Sequence, residues 1–138
     1  MYNFKRIGMN EVEIVKELFI SVFTIEPWND DWSNQEQLDL YLSDLVGQSN
    51  SLTYGLFENE KMIGVSMGHI RHWFSGTEYY IDELCVQTDK QGNGIGDRVG
   101  RYVDMAGTQR QGDPRDPVRL RSAGFRSSEA EDLMPVLR

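Results

Sequence analysis

The hydrophobic residues in the first third of the chain recur every three or four positions, which is the spacing of a buried helix face. Two stripes show this spacing: Val12, Val15, Leu18, Phe19 and Val22, and then Leu38, Tyr41, Leu42 and Leu45. A capping-box pattern precedes each stripe, formed by Asn10 with Glu13 and by Ser33 with Glu36. The pattern therefore predicts one helix from residue 10 to about residue 22 and a second helix that begins after Ser33.

The period of the hydrophobic pattern changes to two after the polar residues 47–51, and this is the spacing of β-strands. The alternating positions form two runs on either side of a turn at residues 58–61: Leu52, Tyr54 and Leu56, and then Ile63, Val65, Met67 and His69. These runs predict a β-hairpin.

Further elements are predicted at both ends of this pattern. Tyr2, Phe4 and Ile7 indicate a short first strand, and residues 71–78 are predicted to form a loop. Residues 79–86 are apolar or aromatic on both faces, as in a central strand. A new helical stripe begins at Ile95 and continues with Val99. The predicted order is β-α-α-β-β-β-α.

Length and composition indicate a single domain over residues 1–138. Hydrophobic residues make up 39% of the chain and charged residues 26%, which is ordinary for a globular protein. The formal net charge of −8 repels a nucleic-acid backbone and attracts a cationic small molecule, although acidity also simply keeps a protein soluble. We therefore expect no nucleic-acid partner.

Three features bear on where the protein works. No apolar run reaches the roughly 18–20 residues of a membrane span. The first ten residues lack the apolar stretch of a secretory signal. The single cysteine, Cys85, rules out an internal disulfide and fits a reducing compartment. We expect a cytoplasmic protein with no membrane partner.

A glycine-bearing turn, QGNGIG at residues 91–96, is predicted between the last strand and the helix that begins at Ile95. Its glycines at 92, 94 and 96 permit positive φ and let bare backbone approach a ligand. At the positive end of the helix dipole, the N–H groups of such a turn favour phosphate oxygens. The dinucleotide fingerprint does not fit, because it needs a G-x-x-G ending and an early strand. The sequence also contains no zinc or P-loop spacing, so no metal is expected.

The strand and turn together, YYIDELCVQTDKQGNGIG at residues 79–96, resemble motif A of the GNAT superfamily of N-acetyltransferases. The motif reads (R/Q)-x-x-G-x-(G/A) after an L-x-V-like triplet, and Gln91, Gly94 and Gly96 stand at its consensus positions. The order of elements over residues 1–106 is also similar to the family's. The resemblance implies the GNAT acyl-CoA N-acyltransferase fold: an α+β, three-layer arrangement with a mixed, mostly antiparallel sheet flanked by helices.

The resemblance implies acetyl-CoA as co-substrate and assigns its binding to two segments. The first and third residues of the triplet Leu84, Cys85 and Val86 pair through their backbone with the pantetheine arm in the family. The turn holds the CoA pyrophosphate, which implies binding roles for Gln91, Gly92, Asn93, Gly94, Ile95, Gly96 and Asp97.

Two carboxylates beside the triplet are the candidate catalytic residues. Transfer to an amine needs a group that binds the ammonium or relays its proton. Strand alternation predicts that Asp82 lies on the same face as Leu84 and Val86, and YIDELCV is similar to a strand of aminoglycoside 6′-N-acetyltransferases that carries an active-site Asp. Glu83 faces the other way unless the strand bulges. The alternative is that both carboxylates only form salt bridges at a strand end.

Candidate acceptor-binding residues lie outside this strand. Glu26 and Trp28 follow the first helix, where GNAT proteins border the acceptor site, and a carboxylate with an aromatic wall suits a cationic amine. A structural Trp is the alternative. His69 is a candidate base or relay, although a histidine without metal-ligand spacing is more often a surface or hairpin residue. Cys85 has no His–Asp pair to activate it and is expected to be a buried core residue.

The last part of the chain departs from the family pattern. Residues 107–117 contain no β-branched run for a fifth strand, and Leu120 stands where the family usually has a Tyr that protonates the CoA thiolate. Residues 107–138 are therefore divergent, and the fold is expected to be atypical from the fifth strand onward.

The resemblance supports one leading function and leaves others open. The leading hypothesis is transfer of an acetyl group from acetyl-CoA to a primary amine of a small, cationic acceptor, by direct attack in a ternary complex. A catalytically impaired GNAT-like module that binds acyl-CoA or a protein partner is the alternative. A protein N-acetyltransferase would share the same cofactor site, and a homodimer is common among GNAT domains.

Overall fold

The computed structural model of the chain describes residues 2–74, 76–102, 119–121 and 126–127. The elements in chain order are β1 (Tyr2–Ile7), α1 (Val12–Phe23), α2 (Gln35–Val46), β2 (Ser51–Glu58), β3 (Lys61–Trp73), β4 (Gly76–Val86), α3 (residues 95–102), β5 (Arg119–Arg121) and β6 (Arg126–Ser127). The first seven elements confirm the predicted order. No helix in these ranges is both long enough and apolar enough to cross a membrane.

The strands form one six-stranded sheet in the order β1-β2-β3-β4-β5, and β6 also pairs with β4. Strands β1 to β4 are antiparallel neighbours, whereas β5 and β6 run parallel to β4. This mixed, mostly antiparallel sheet with helices against it confirms the predicted fold class.

A hydrophobic core lies on each face of the sheet, as the two periodicities predict. One face packs against α1 and α2, and its buried side chains include Val15, Phe19, Leu42, Met67 and Cys85. The other face packs against α3, and its buried side chains include Leu56, Tyr79, Leu84, Val86, Ile95 and Val99. Strand β4 contributes to both clusters and is covered on both faces as the sequence predicts, and β2 and β3 contribute to both clusters as well. The expectation that Cys85 is a buried core residue is confirmed.

Helices α1 and α2 both begin at residues other than those predicted. A short 3-10 turn, Met9–Glu11, precedes α1, whose N-cap is Glu11 without a side-chain hydrogen bond, so the capping box at Asn10 is wrong. At α2 the cap is Asn34, whose Oδ1 accepts a hydrogen bond from the Gln37 N–H at 3.1 Å. Ser33 lies one residue before this cap, so the capping box predicted for it is wrong, and its N–H donates to the Asp31 Oδ1 at 3.0 Å.

The β3–β4 hairpin is longer than the sequence predicts. The loop predicted for residues 71–78 is wrong, because Arg71 pairs with Glu78 and Trp73 pairs with Gly76. The exposed end of β3 carries no hydrophobic alternation, and this explains why the pattern missed it. The β2–β3 turn is confirmed: Asn59 and Glu60 have φ of 51° and 70°, as in two-residue hairpin turns.

A fifth strand is present, although the sequence offered no sign of it. Residues 107–117 lie outside the described residues, so the expectation for them stays a prediction. β5 follows at Arg119–Arg121 and runs parallel to Glu78, Tyr79 and Tyr80 of β4. The segment reads RLR and has no hydrophobic run, so only its pairing with β4 identifies it. Leu120, compared above with the family's Tyr, is therefore the middle residue of this strand.

The hydroxyl of Tyr79 joins β2, β3 and β4 inside the core. It donates a hydrogen bond to the Leu52 carbonyl at 2.8 Å and lies 3.0 Å from the Ser66 hydroxyl. Burial raises the pKa of Tyr79 far above its ordinary value of 10.0. The side chain therefore stays protonated in the folded protein at alkaline pH.

Replacing Tyr79 by Phe is expected to lower the free energy of unfolding by about 1–3 kcal/mol, because a buried acceptor loses its donor. The difference is expected to shrink at alkaline pH. Since the folded-state pKa is raised, the hydroxyl's contribution is complete below about pH 10 and declines above it, where the unfolded chain releases the proton. Urea unfolding of wild type and variant at about pH 8 and about pH 11 measures this. A difference that does not change with pH would contradict the buried, protonated hydroxyl.

Candidate active site

A β-bulge lies in β4 where the sequence predicts the catalytic carboxylates. Met67 pairs with Glu83 and Gly68 pairs with Ile81, so Asp82 is an extra residue between two residues that are consecutive on β3. The backbones approach closely here, since a Cβ on Gly68 would lie 2.2 Å from the Tyr80 carbonyl oxygen. The chain therefore needs glycine at position 68 to form this bulge.

The bulge changes the face on which Asp82 lies. The Asp82 carboxylate contacts His69, and His69 lies on the same face of β3 as Met67, against α1 and α2. Leu84 and Val86 belong to the opposite face, against α3. The prediction that Asp82 shares the face of Leu84 and Val86 is therefore wrong, because strand alternation breaks at the extra residue.

Glu83 follows the bulge and lies opposite Met67, so it is on the same face as Asp82. Its side chain is buried, with 4% exposed. The bulge thus brings both candidate carboxylates to one face, as the sequence analysis allowed only for a bulged strand.

His69 and Asp82 form a hydrogen-bonded pair across β3 and β4. The His69 Nδ1 lies 2.8 Å from the Asp82 Oδ2, and the two side chains are 24% and 36% exposed. The imidazole stacks on the Tyr80 ring with the ring centres 5.4 Å apart and an angle of 9° between the planes. Arg71 lies over the same Tyr80 ring at 5.1 Å. The structure therefore brings together two of the predicted site residues and fixes the imidazole plane.

The backbone of the triplet lies at the edge of β4 that faces away from β3. The Gln87 N–H donates to the Ile63 carbonyl of β3 at 2.8 Å. Because backbone groups alternate in direction along a strand, those of Val86 and Leu84 point towards the opposite edge. This is the edge that the resemblance assigns to the pantetheine arm. At that edge Leu84 pairs with Ser127 of β6.

The turn at residues 91–94 sits on the end of β4 and leads directly into α3. The Gln91 side-chain amide donates to the Val86 carbonyl at 3.0 Å and holds the turn against the strand. Gly92 and Gly94 have φ of 82° and 75°, and a Cβ on either would meet no atom within 4 Å. Of the three glycines that permit positive φ, Gly96 does not adopt it and lies within the first turn of α3. An exposed, left-handed turn at a helix N-terminus is suited to binding an anion.

The sequence profile described as the Acetyltransferase (GNAT) family matches residues 12–111. The chain belongs to the GNAT acetyltransferase family.

Solved GNAT structures share the fold at low sequence identity. A possible acetyltransferase from Clostridium difficile 630 has a TM-score of 0.69 and 12% identity, over 89% of this chain and 79% of that chain. An aminoglycoside acetyltransferase from an uncultured soil metagenomic sample, in complex with sisomicin, has a TM-score of 0.62 and 19% identity over 95% and 80%. The aminoglycoside acetyltransferase AAC(6')-Iy, in complex with a bisubstrate analogue of CoA and acetylneamine, has a TM-score of 0.62 and 13% identity. The match covers 89% of this chain and 79% of that chain. The chain matches no curated protein sequence.

Two arginines beside the GNAT turn were missed by the sequence analysis. A cavity of about 270 Å³ lies next to the turn and is lined by Gly94, Asp97, Arg98, Arg101 and Tyr102. Arg101 is held by Asp97 at 2.8 Å, and Arg98 lies over the Tyr2 ring at 4.5 Å. Basic residues in the first two turns after a glycine-bearing turn are the signal that could have identified them. Both arginines add positive charge beside the predicted phosphate position.

Lys90, by contrast, is engaged by β2. Its ammonium lies 2.8 Å from the Glu58 carboxylate, and this hydrogen-bonded pair raises the pKa of Lys90 and lowers the pKa of Glu58. The ion pair of Lys90 with Glu58 therefore links the segment before the turn to strand β2.

A second, larger cavity of about 560 Å³ lies between α1 and the end of β4. Its lining includes Glu17, Leu18, Met62 and Gln87. The Gln87 Oε1 is buried and has no hydrogen-bond partner among the described residues. A donor on a bound molecule would find an acceptor at this atom.

The loop after α1 carries the remaining predicted acceptor residues. Glu26 is exposed, and Trp28 packs edge-on against Phe23 with the ring centres 5.6 Å apart. The Trp28 side chain remains 37% exposed, so it contacts the core on one side and is open to solvent on another. Within residues 2–74 and 76–102, no group of His, Cys, Asp and Glu side chains is arranged to hold a metal ion.

Proposed function

We propose that this GNAT protein transfers the acetyl group of acetyl-CoA to a primary amine of a small, cationic acceptor. The observation that supports the proposal is the order of three features along β4 and just after it. They are the bulge with its His69–Asp82 pair, the outward-facing edge at Leu84 and Val86, and the left-handed turn at the start of α3. These features suit, in that order, an amine, a thioester arm and a pyrophosphate.

The cofactor end of the proposal rests on the turn. The open space beside Gly92 and Gly94 lets a pyrophosphate approach the backbone, and Arg98 and Arg101 lie in the adjoining cavity. Fixed dipoles and guanidinium groups of this kind stabilise phosphate charge. Asp97, which the resemblance also assigns to the turn, serves this site by holding Arg101.

The arm of the cofactor is expected to run along the outer edge of β4. Pairing with Leu84 requires that the arm replace β6 at that residue, since Ser127 pairs with it in this structure. The two amides of a pantetheine arm also supply N–H donors, and the buried Gln87 Oε1 is an acceptor beside the strand end. We expect the acetyl group to lie towards the bulge, because Asp82 precedes Leu84 by two residues, or about 6–7 Å of extended strand.

The acceptor end of the proposal rests on the net charge and on exposed residues of the α1–α2 loop. The net charge of −8 favours a cationic acceptor. Glu26 and the exposed surface of Trp28 are the proposed acceptor contacts in the α1–α2 loop. Two of the structural neighbours are aminoglycoside acetyltransferases, whose acceptors are polycationic amines.

Release of CoA thiol from acetyl-CoA, measured across a panel of amines, tests the function. The panel contains polyamines, aminoglycosides, amino acids and peptides with a free N-terminus. We expect release that depends on the protein and is fastest with a small polycationic amine. Acetyl-CoA binding without thiol release for any amine would instead support the non-catalytic module, and release with peptides alone would indicate a protein N-acetyltransferase.

A further inference from the structure

Asp82 and Glu83 are the carboxylates predicted to take the acceptor's proton, and the structure places an imidazole beside them. The Asp82 Oδ2 is already hydrogen-bonded to the His69 Nδ1 at 2.8 Å. Glu83 is buried, with 4% exposed, whereas the His69 side chain is 24% exposed. The imidazole is therefore more exposed than Glu83. Asp82 is 36% exposed, but its Oδ2 is engaged by the imidazole, whose Nε2 faces away from it.

The hydrogen bond with Asp82 selects one tautomer of His69. A carboxylate only accepts hydrogen bonds, so a neutral imidazole facing it carries its proton on Nδ1. The lone pair is then on Nε2, the nitrogen that does not face Asp82. An imidazole with a free Nε2 lone pair is a general base.

The surrounding groups hold the ring in place. From β4, Tyr80 stacks on the imidazole, and its hydroxyl donates to Glu78 at 3.0 Å. From β3 itself, Arg71 lies over the Tyr80 ring, 5.1 Å from the ring centre. On β2, the residue opposite His69 is Ser51, which is uncharged. The charged and titratable groups described around His69 are therefore Asp82, Glu83, Tyr80, Glu78 and Arg71.

We propose that His69 is the catalytic base that takes the acceptor's proton on Nε2, and that Asp82 is a positioning residue that orients His69. The proposal rests on the proposed acetyl transfer. A protonated amine gives one proton to Nε2, directly or through one water, and the free amine forms a bond to the thioester carbonyl carbon. The carbon–sulfur bond then breaks, and the CoA thiolate leaves with the electron pair. The nitrogen, now bonded to the acetyl carbon, loses its second proton, and the thiolate takes up one proton, directly or through water. The products are the acetylated amine and CoA thiol, and His69 returns its proton to solvent.

The experiment compares His69→Gln, Asp82→Asn and the double variant by their pH profiles of kcat/KM for the best acceptor. His69→Gln is expected to lose roughly 10²–10⁴-fold in kcat and to lose the acid limb of the profile. Asp82→Asn is expected to lose about 10²-fold in kcat while keeping an acid limb, because the base is present but misoriented. The double variant is expected to be no slower than His69→Gln, since Asp82 acts through His69.

The controls separate catalysis from folding and from cofactor binding. His72→Gln removes an exposed histidine from the same strand and is expected to match the wild type. Each variant is expected to keep the wild-type melting temperature and affinity for acetyl-CoA. Nitrogen-15 NMR of the imidazole is expected to show the Nδ1–H tautomer in the wild type and its loss in Asp82→Asn.

Two results overturn the assignment while leaving the function intact. One is a His69→Gln variant that keeps the acid limb and the wild-type kcat. The other is an Asp82→Asn change that slows the His69→Gln enzyme as much as it slows the wild type, which would make Asp82 the direct base. A wild-type protein that releases no thiol with any amine would overturn the proposed function itself, and the base assignment with it.

Discussion

Replacing Gly94 by Glu is expected to weaken acetyl-CoA binding at least about 100-fold. Gly94 has φ of 75°, a conformation that costs an L-residue roughly 1–2 kcal/mol. The new carboxylate also lies near the proposed pyrophosphate position, where repulsion between two charges about 4 Å apart amounts to about 4 kcal/mol near a protein surface. The charge repulsion alone exceeds the about 2.7 kcal/mol that corresponds to 100-fold in affinity. Titration calorimetry with acetyl-CoA measures the loss.

Gly94→Ala is the matched control. A Cβ at this position meets no atom within 4 Å, so alanine adds backbone strain without a clash or a charge. We expect about a tenfold loss of affinity at most, which is the strain term alone. Equal losses for Ala and Glu would show that charge is not involved, and wild-type affinity in Gly94→Glu would exclude this turn as the pyrophosphate site.

Replacing Gly68 by Ala is expected to lower the free energy of unfolding by about 3 kcal/mol or more. The added Cβ would lie 2.2 Å from the Tyr80 carbonyl oxygen and 2.6 Å from the Tyr79 ring. Overpacking in a core typically costs about 1–3 kcal/mol, and a clash with backbone is harder to relieve than one with a side chain. The bulge at Asp82 must shift to admit the methyl group, so the His69–Asp82 bond is expected to be lost as well. Urea unfolding measures the first effect, and the His69 NMR signals report the second.

Gly64→Ala provides the comparison for Gly68, because both glycines lie on the same face of β3. Its Cβ would lie 3.2 Å from a Val99 methyl group, which a small side-chain movement relieves. Alanine also removes the entropic cost of a strand glycine, roughly 0.5–1 kcal/mol, so we expect a change within about 1 kcal/mol. A Gly68→Ala protein as stable as Gly64→Ala would contradict the close approach of the two strands at the bulge.

The first seven elements of the fold could be predicted from the sequence because their signals are local. The stripe from Val12 to Val22 indicates the helix face that packs on the sheet, and the change to a period of two at Leu52 indicates where the strands begin. Helix starts were less predictable, since Ser33 and Asn34 are both good capping residues and only the structure shows that Asn34 accepts the bond. The strand at Arg119–Arg121 could not be predicted, because its only mark is its pairing with β4.

In the candidate site, too, only the features whose residues are close in sequence could be predicted. The glycine-bearing turn could be predicted, because Gln91, Gly92 and Gly94 are close in sequence and lie between a strand and a helix. The pairing of His69 with Asp82 could not, since the two residues are 13 positions apart and meet only through the β3–β4 register. That register contains the bulge, and the bulge overturns the strand alternation on which the placement of Asp82 was based.

The central claim is direct transfer of an acetyl group from acetyl-CoA to an amine. Incubation with isotope-labelled acetyl-CoA and the best amine of the panel, followed by mass spectrometry of both the amine and the intact protein, tests it directly. We expect one labelled acetyl group on the amine for each CoA thiol released, and none on the protein. The reason is that Cys85 is buried and the amine is proposed to attack the thioester itself. An acetylated Cys85, or bound acetyl-CoA that labels no amine, would contradict it.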